Sequence, residues 1–262
     1  MGKSHVRHVL GISGGKDSAA LAIYMRDKIP TMEYFFTDTG AELPEVYTYL
    51  DVLEGFLKKP IARLGLARPF DHLLNHLHNG FLPSPNTRWC TREMKIRPFE
   101  EWVGDDEVVT YVAIRADEDR DGYVATKPNI VARFPFKEDG LVRRDIERIL
   151  DHSGVGKPAY YEWRSRSGCY FCFFQKKSEW VSLSKHHPDL FERAKVYEKI
   201  DPVTGVGYTW SQGETLEQLV ARASDIMALI RPGSGGDERT PWQEMLSQID
   251  DGEDESCLVC SL

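Results

Sequence analysis

The stretch GISGGKDS, residues 11–18, limits the possible folds of this chain more than any other part of it. Its first three residues end a short apolar run, residues 8–13, that is typical of a buried parallel strand. It leads into residues 17–28, which are rich in Ala, Leu, Ile and Met and predict a helix that Pro30 would end. A strand joined to a helix by a glycine turn is the beginning of an α/β fold.

Strand-like and helix-like stretches continue to alternate along the chain. Apolar runs at 32–40, 60–64 and 108–114 predict further strands, and residues 43–57 predict a helix with a proline near its start. This alternation predicts an α/β fold with a doubly wound parallel sheet. Beyond residue 140 the strand signals fade, so we expect a mainly helical C-terminal region with helices over 141–154, 178–200 and 215–230.

Composition and charge suggest three parts. We expect an α/β domain over 1–140, a helical region with a Cys-x-x-Cys over 141–232, and an acidic, flexible tail with a second Cys-x-x-Cys over 233–262. Of the formal net charge of −8, the tail carries −7, because it holds eight acidic residues and one arginine. This balance excludes a generally basic nucleic-acid-binding coat but permits local basic patches.

The glycine turn has the chemistry of an anion-binding loop. Glycine lets the backbone approach a ligand, and the N–H groups at a helix start attract anions together with the helix dipole. Ser13 and Ser18 could add hydroxyl donors, and Lys16 could add a positive charge. The spacing differs from the Walker pattern. An ordinary strand-to-helix turn with a serine cap is the alternative interpretation.

The letters SGGKDS resemble the pyrophosphate loop, S-G-G-x-D-S, of the ATP pyrophosphatase (PP-loop) superfamily. The resemblance implies a sheet of the adenine nucleotide alpha hydrolase type and an enzyme that cleaves ATP between its α and β phosphates, with Mg²⁺, to adenylate an acceptor. It implies catalytic roles for Lys16 and Asp17. The nucleotide-binding residues that it implies here are Ser13, Gly14, Gly15 and Ser18.

Two further motifs resemble the phosphoadenosine phosphosulfate (PAPS) reductase-like branch of that superfamily. In FFTDTGAELPEVYTYL, the resemblance implies nucleotide contacts from Asp38, Thr39 and Gly40, although Asp38 could instead cap a helix. In IRADEDR, it implies that Arg115 and Arg120 act as catalytic donors to phosphate or sulfate and that Glu118 orients one of them. Surface ion pairing is the alternative for this second motif.

The cysteines indicate a metal or redox site rather than a disulfide framework. NTRWCTREMKIRPF and RSGCYFC resemble the cluster-binding elements of adenylylsulfate reductases. This resemblance implies a [4Fe–4S] cluster held by Cys90, Cys169 and Cys172, with Cys260 (or Cys257) as the fourth ligand or with one iron left open to sulfide. Zinc on the same thiols is the second choice, and incidental buried cysteines are a third interpretation.

The combined motifs resemble the ATP pyrophosphatase component of bacterial DNA phosphorothioation systems. That resemblance implies a sulfur-transfer enzyme with an adenine nucleotide, DNA and a cysteine desulfurase as partners. A basic, aromatic stretch at 163–177 could either contact nucleic acid or neutralise a cluster.

Two other functions stay open. One is a PAPS or adenylylsulfate reductase, although the tail DGEDESCLVCSL lacks that family's Glu-Cys-Gly-x-His element. The other is a nucleotide-binding accessory protein of a defence system or mobile element.

The sequence offers no run of about 18 apolar residues that could cross a bilayer, and its N-terminus has no signal-peptide core. We therefore expect a cytoplasmic protein without a membrane partner. Whether it forms a homodimer stays open.

Overall fold

The computed structural model describes residues 6–65, 68–119, 127–200 and 207–229. Three predictions fall outside these residues: Arg120, the pair Cys257 and Cys260, and the acidic tail at 233–262. The strands are β1 Arg7–Gly11, β2 Glu33–Thr37, β3 Ile61–Leu64, β4 Val108–Tyr111, β5 Ile130–Arg133, β6 Lys199–Ile200 and β7 Gly207–Tyr208.

Helices precede and follow the strands of the main sheet. The α-helices are α1 Lys16–Met25, α2 Pro44–Leu57, α3 Phe70–His72, α4 Trp89–Thr91, α5 Arg97–Val103, α6 Pro135–Glu138, α7 Arg143–Ser153, α8 Lys177–His186, α9 Pro188–Lys195, α10 Leu216–Ala221 and α11 Ala223–Leu229. Two π-helical turns, Leu73–Leu77 and Arg92–Ile96, continue α3 and α4, and a 3₁₀ turn spans Ala159–Glu162.

Five parallel strands form the main sheet in the order β3-β2-β1-β4-β5. Side chains alternate between its two faces, as a strand period of two requires. Leu10 and Phe36 pack into the larger apolar core, whereas Val9 and Phe35 pack into a second core against α5, where Phe35 stacks on Phe99. Both faces are therefore covered by helices, and the predicted doubly wound α/β fold with a mainly helical C-terminal part is confirmed.

The sheet order places the switch point between β1 and β4. The chain leaves β1 toward β2 on one side and later returns to β4 on the other, so the loops after β1 and β4 diverge and leave a crevice. Ligands of doubly wound sheets bind in such a crevice at the carboxyl ends of the strands. The glycine turn and the Arg115 motif follow these two strands.

Three local features differ from the sequence prediction. Strand β5 was missed; its apolar run, residues 130–132, is short, and only Ile130 of its four residues is buried at this edge of the sheet. The helix expected over 178–200 is divided between α8 and α9, because Pro188 lacks the N–H that would continue α8. The helix expected near 215–230 is likewise divided, at Arg222.

The C-terminal region packs directly on the sheet domain. Helix α7 lies along α1, and Tyr49 of α2 donates a hydrogen bond of 2.8 Å to the carbonyl of Gly156. His187, between α8 and α9, hydrogen-bonds to Glu45 at the start of α2 at 2.8 Å. These contacts bring residues 155–175 to the edge of the sheet where the glycine turn lies. The boundary predicted at residue 140 remains a prediction.

Among the described residues we find no helix with the length and hydrophobicity that a bilayer-spanning segment requires.

Candidate functional site

The glycine turn between β1 and α1 is held closely on both sides. Gly14 has φ of +77°, and a Cβ atom built on it would stand 2.6 Å from Cγ1 of Val46. A Cβ on Gly15 would stand 2.8 Å from Oγ of Ser167. Both glycines are therefore required, the first for its backbone conformation and both for the space that a side chain would fill.

Three backbone N–H groups of this turn donate hydrogen bonds to side-chain hydroxyl groups. The N–H of Ser13 donates to Oγ of Ser18 at 3.1 Å, and the N–H of Gly15 donates to Oγ of Ser13 at 3.4 Å. The N–H of Lys16, the first residue of α1, donates to Oη of Tyr161 at 3.2 Å. The sequence predicted amides that point outward to an anion, whereas here they bind hydroxyls that an anion would have to replace.

The charged residues of the turn form one network with the motif after β4. Lys16 Nζ lies 3.8 Å from Asp17, and Asp17 accepts a hydrogen bond of 3.1 Å from Arg115. Arg115 also pairs with Asp117 at 2.9 Å and with Glu118 at 2.8 Å. Burial works against the charge of Arg115, but Asp17 and Glu118 more than offset it and raise its pKa above the ordinary value.

The structure thus brings Lys16, Asp17, Arg115 and Glu118 together across the switch point. Arg115, which the sequence predicts as a donor to phosphate or sulfate, is engaged by three carboxylates in this state. Arg120, for which the sequence predicts the same role as Arg115, lies outside the described residues.

The Asp-Thr-Gly turn after β2 is ordered by its own side chains. Asp38 accepts hydrogen bonds of 2.8 Å from the Gly40 amide and from the hydroxyl of Tyr47. Thr39 is buried and donates to Glu42 at 2.9 Å. Asp38 therefore stabilises its own turn and does not cap α2, whose N-cap residue is Leu43, while it remains at the carboxyl edge of the sheet.

The three cysteines of the described residues line one cavity. Cys90 comes from α4, and Cys169 and Cys172 come from the loop before α8. The cavity has ≈ 480 Å³ of empty space, part of it open solvent, and its walls are mainly apolar. Other residues that line it are Thr39, Lys95, Phe173 and Phe174. The fold therefore joins the two cysteine motifs that the sequence singled out.

The surroundings of Cys169 favour a bound positive group. Burial, and then the nearby carboxylate of Glu42, raise the pKa of the Cys169 thiol, and Lys95 opposes this shift. Oε1 of Glu42 lies 3.9 Å from the sulfur, and Oε2 is buried without a hydrogen-bond partner among the described residues. A metal centre would stabilise both the thiolate and this carboxylate.

Three thiols that line one cavity are donors that both a [4Fe–4S] cluster and zinc use. Zinc needs its ligands at about 2.3 Å from one point, and the described residues offer no group of three or more His, Cys, Asp or Glu side chains arranged for one ion. Thiols distributed around a cavity suit a [4Fe–4S] cluster, because each thiolate binds a different iron.

Three contacts attach the cysteine segment to the glycine and Asp-Thr-Gly turns. Oγ1 of Thr39 lies 3.2 Å from Sγ of Cys169. The N–H of Tyr170 donates to the carbonyl of Ala41 at 2.8 Å. Oγ of Ser167 donates to Oγ of Ser13 at 3.3 Å. The glycine turn and the cysteine cavity are therefore parts of one site.

Sequence reasoning missed four residues of this site: Glu42, Tyr160, Tyr161 and Ser167. Tyrosine and serine in a loop carry no spacing signal, so nothing in AYYEWRSRSG pointed to the glycine turn far earlier in the chain. Glu42 belongs to the ELPE stretch of the second motif, but its burial beside a cysteine depends on the fold.

Comparison with known proteins gives one family match and several distant similarities. Residues 7–131 match the family model described as the phosphoadenosine phosphosulfate reductase domain. An uncharacterized protein of Methanocaldococcus jannaschii is 24% identical over 193 residues, covering 69% of this chain and 45% of its own length. The chain thus spans less than half of that relative.

Two further similarities are more distant. An uncharacterized 37.8 kDa protein of Escherichia phage 186 is 23% identical over 261 residues, covering 74% of this chain and 75% of its own length. A PAPS reductase from Candida auris, solved as a phosphate complex, aligns with a TM-score of 0.49 and 13% identity over 63% of this chain and 82% of its own.

Replacing Gly14 tests the shape of the turn. We expect Gly14→Ala to lower the free energy of unfolding by at least about 2 kcal/mol, because alanine is strained at this φ and its Cβ overlaps Val46. Gly55→Ala is the matched control: Gly55 is exposed within α2 and has open space for a Cβ, so stability should rise by roughly 0.5–1 kcal/mol. Urea unfolding measures both. Equal stability of Gly14→Ala and wild type would contradict the packing argument.

Proposed function

We propose, on the premise that residues 7–131 belong to the PAPS reductase-like branch of the PP-loop superfamily, that this protein is an ATP pyrophosphatase of sulfur transfer. The family itself indicates a sulfonucleotide-related or adenine nucleotide-binding enzyme. The finer proposal is that the enzyme adenylates a nucleic-acid backbone phosphate and so prepares it for sulfur insertion.

One observation carries this proposal. Thr39, in the turn that the family motif assigns to the nucleotide, lies 3.2 Å from the sulfur of Cys169. The cysteine side chains and the turn that the family motif assigns to the nucleotide therefore meet at one edge of the sheet. An enzyme that only hydrolysed ATP would have no use for three cysteines beside its nucleotide site.

The residues of the turn would act on the phosphates by charge and position. An acceptor oxygen attacks the α-phosphorus of ATP, the bond to the bridging α,β oxygen breaks, and pyrophosphate leaves. Lys16 and the amides of Gly14 and Gly15 would bind the negative charge that moves to the leaving group. Mg²⁺ would neutralise further charge, and Asp17, already paired with Arg115, would hold that arginine beside the phosphates.

The cysteine cavity would supply the sulfur side of the reaction. Cys90, Cys169 and Cys172 would hold a [4Fe–4S] cluster, with Cys260 as the proposed fourth ligand. Such a cluster, when bound, supplies redox and sulfur-binding chemistry beside the nucleotide. A cysteine desulfurase is the proposed sulfur donor, as the resemblance to phosphorothioation systems implies.

A basic, aromatic surface at the cavity supports a nucleic-acid acceptor. The guanidinium groups of Arg88 and Arg166 each lie 5.0 Å from the ring centre of Phe174. Phe174 lines the cavity and packs against Phe173, with ring centres 4.4 Å apart. Arginines held by an aromatic ring present flat cationic surfaces on which bases stack and which phosphates pair with.

A sulfonucleotide reductase is the second candidate, because the matching family model is described by that activity. It would use the same nucleotide crevice but would release sulfite from PAPS or adenylylsulfate. A nucleotide-binding accessory protein of a defence system or mobile element is the third candidate, and one relative comes from a phage.

The primary test is pyrophosphate release from ATP. We expect the protein, with Mg²⁺ and DNA, to release pyrophosphate without forming sulfite from PAPS. Lys16→Ala should lower the rate by about 10²-fold or more, because it removes the buried charge at the turn. Lys28→Ala, which removes a half-exposed lysine paired with Asp139, is the matched control and should retain the rate. Sulfite without pyrophosphate would establish the reductase, and equal rates in wild type and Lys16→Ala would favour the accessory role.

Metal analysis tests the cysteine site. Protein purified without oxygen should contain about four iron atoms per chain and absorb visible light, as a [4Fe–4S] cluster does. Cys90→Ser and Cys169→Ser should lose iron, because each removes a thiolate from the cavity. Cys260→Ser should also lose iron, whereas Cys257→Ser, the control, should retain it. A colourless protein with one zinc per chain would overturn the cluster.

DNA binding tests the surface around Phe174. Arg88→Ala and Arg166→Ala should each weaken DNA binding to a similar degree for all sequences and reduce the salt dependence by about one unit of slope. Arg222→Ala is the control, because Arg222 is an exposed arginine already paired with Glu214. Fluorescence anisotropy at several salt concentrations measures all three. Unchanged binding in both cavity variants would contradict a nucleic-acid contact at this surface.

A further inference from the structure

Two neighbouring tyrosines of the C-terminal region lie on the glycine turn. They belong to the 3₁₀ turn Ala159–Glu162, and their rings stack with centres 4.9 Å apart. Oη of Tyr161 accepts the N–H of Lys16 at 3.2 Å, and Oη of Tyr160 donates to the carbonyl of Gly14 at 2.9 Å. One tyrosine therefore binds an amide of the turn, and the other binds a carbonyl.

The amide that Tyr161 binds is one that a phosphate would use. Lys16 is the first residue of α1, and the first N–H groups of a helix have no acceptor within the helix. These groups are the donors that bind phosphate at helix starts. A single N–H carries one proton, so the tyrosine oxygen and a phosphate oxygen compete for it.

The hydroxyl also occupies the space over the turn. A Cβ built on Gly15 would lie 3.3 Å from Oη of Tyr161 and 2.8 Å from Oγ of Ser167. A group bound against the Gly15 backbone would meet the same two hydroxyls. A phosphate oxygen that binds the Lys16 amide would therefore displace the Tyr161 hydroxyl.

We propose that the Tyr161 hydroxyl takes the place of a phosphate oxygen in the nucleotide-free protein, and that a bound nucleotide displaces Tyr161 together with its turn. The inference rests on the proposed function, because it assumes a phosphate in the glycine turn. It makes Tyr161 a residue that sets nucleotide affinity through competition.

The displaced turn is connected to the cysteine segment. The N–H of Arg164 donates to the carbonyl of Tyr160 at 2.9 Å, and its guanidinium donates to the carbonyl of Cys169 at 2.9 Å. Arg164 is almost completely buried, with 2% of its surface exposed. Movement of the tyrosine turn would therefore alter the position of Arg164 and, through it, the backbone at Cys169.

The test measures the affinity of a non-hydrolysable ATP analogue and of pyrophosphate by calorimetry. Tyr161→Phe removes the competing hydroxyl but keeps the ring over Lys16 Nζ, 5.4 Å away. We expect it to bind both probes about threefold to tenfold more tightly than wild type, the gain that one lost hydrogen bond in the free state gives. Tyr24→Phe is the matched control: its hydroxyl donates to Asp139 near the far end of α1, away from the glycine turn, so affinity should stay unchanged.

A second measurement needs no variant. Hydrogen exchange at residues 159–169 of wild type should change when the ATP analogue binds. Weaker or unchanged binding by Tyr161→Phe, or unchanged exchange in this segment with the analogue bound, overturns the inference alone. Absence of binding to wild type overturns the proposed function and the inference together.

Discussion

The site depends on the attachment of the cysteine segment to the carboxyl edge of the sheet. The backbone bond from Tyr170 to Ala41 and the contact between Thr39 and Cys169 hold that segment against the Asp-Thr-Gly turn. The sheet alone would provide a crevice at its switch point. The helical region alone would provide Cys169 and Cys172 but not Cys90. Their contact makes one site of two motifs that are far apart in the chain.

Charges around the glycine turn are paired within the protein. Arg115 binds three carboxylates, and one of them, Asp17, also approaches Lys16. Pairs of this kind add little net stability, because burial removes the hydration of both partners. They fix the directions of the charged groups at the carboxyl edge of the sheet.

The sequence predicted those parts of the protein that carry a hydrophobic pattern or a recognisable motif. The first four strands follow from short apolar runs, the glycine turn follows from its place between a strand and a helix, and the Asp-Thr-Gly turn follows from a family resemblance. Edge strand β5 was not predicted, although its sequence IVAR is about as apolar as the sequence IARL of β3. The positions of Tyr161 and Glu42 could not be predicted, because they depend on how the C-terminal region packs on the sheet. The joining of Cys90 to Cys169 could be inferred only through a family resemblance.

The contact between Gly14 and Val46 has a consequence for how the site responds to a ligand. Helix α2 presses the glycine turn into one shape, so the turn has little conformational freedom left to lose. On the proposed displacement of Tyr161, the rearrangement that accompanies binding falls on the opposite wall, which the tyrosines form. That wall is joined through Arg164 to the carbonyl of Cys169, so the proposed movement would reach the cysteine side of the site.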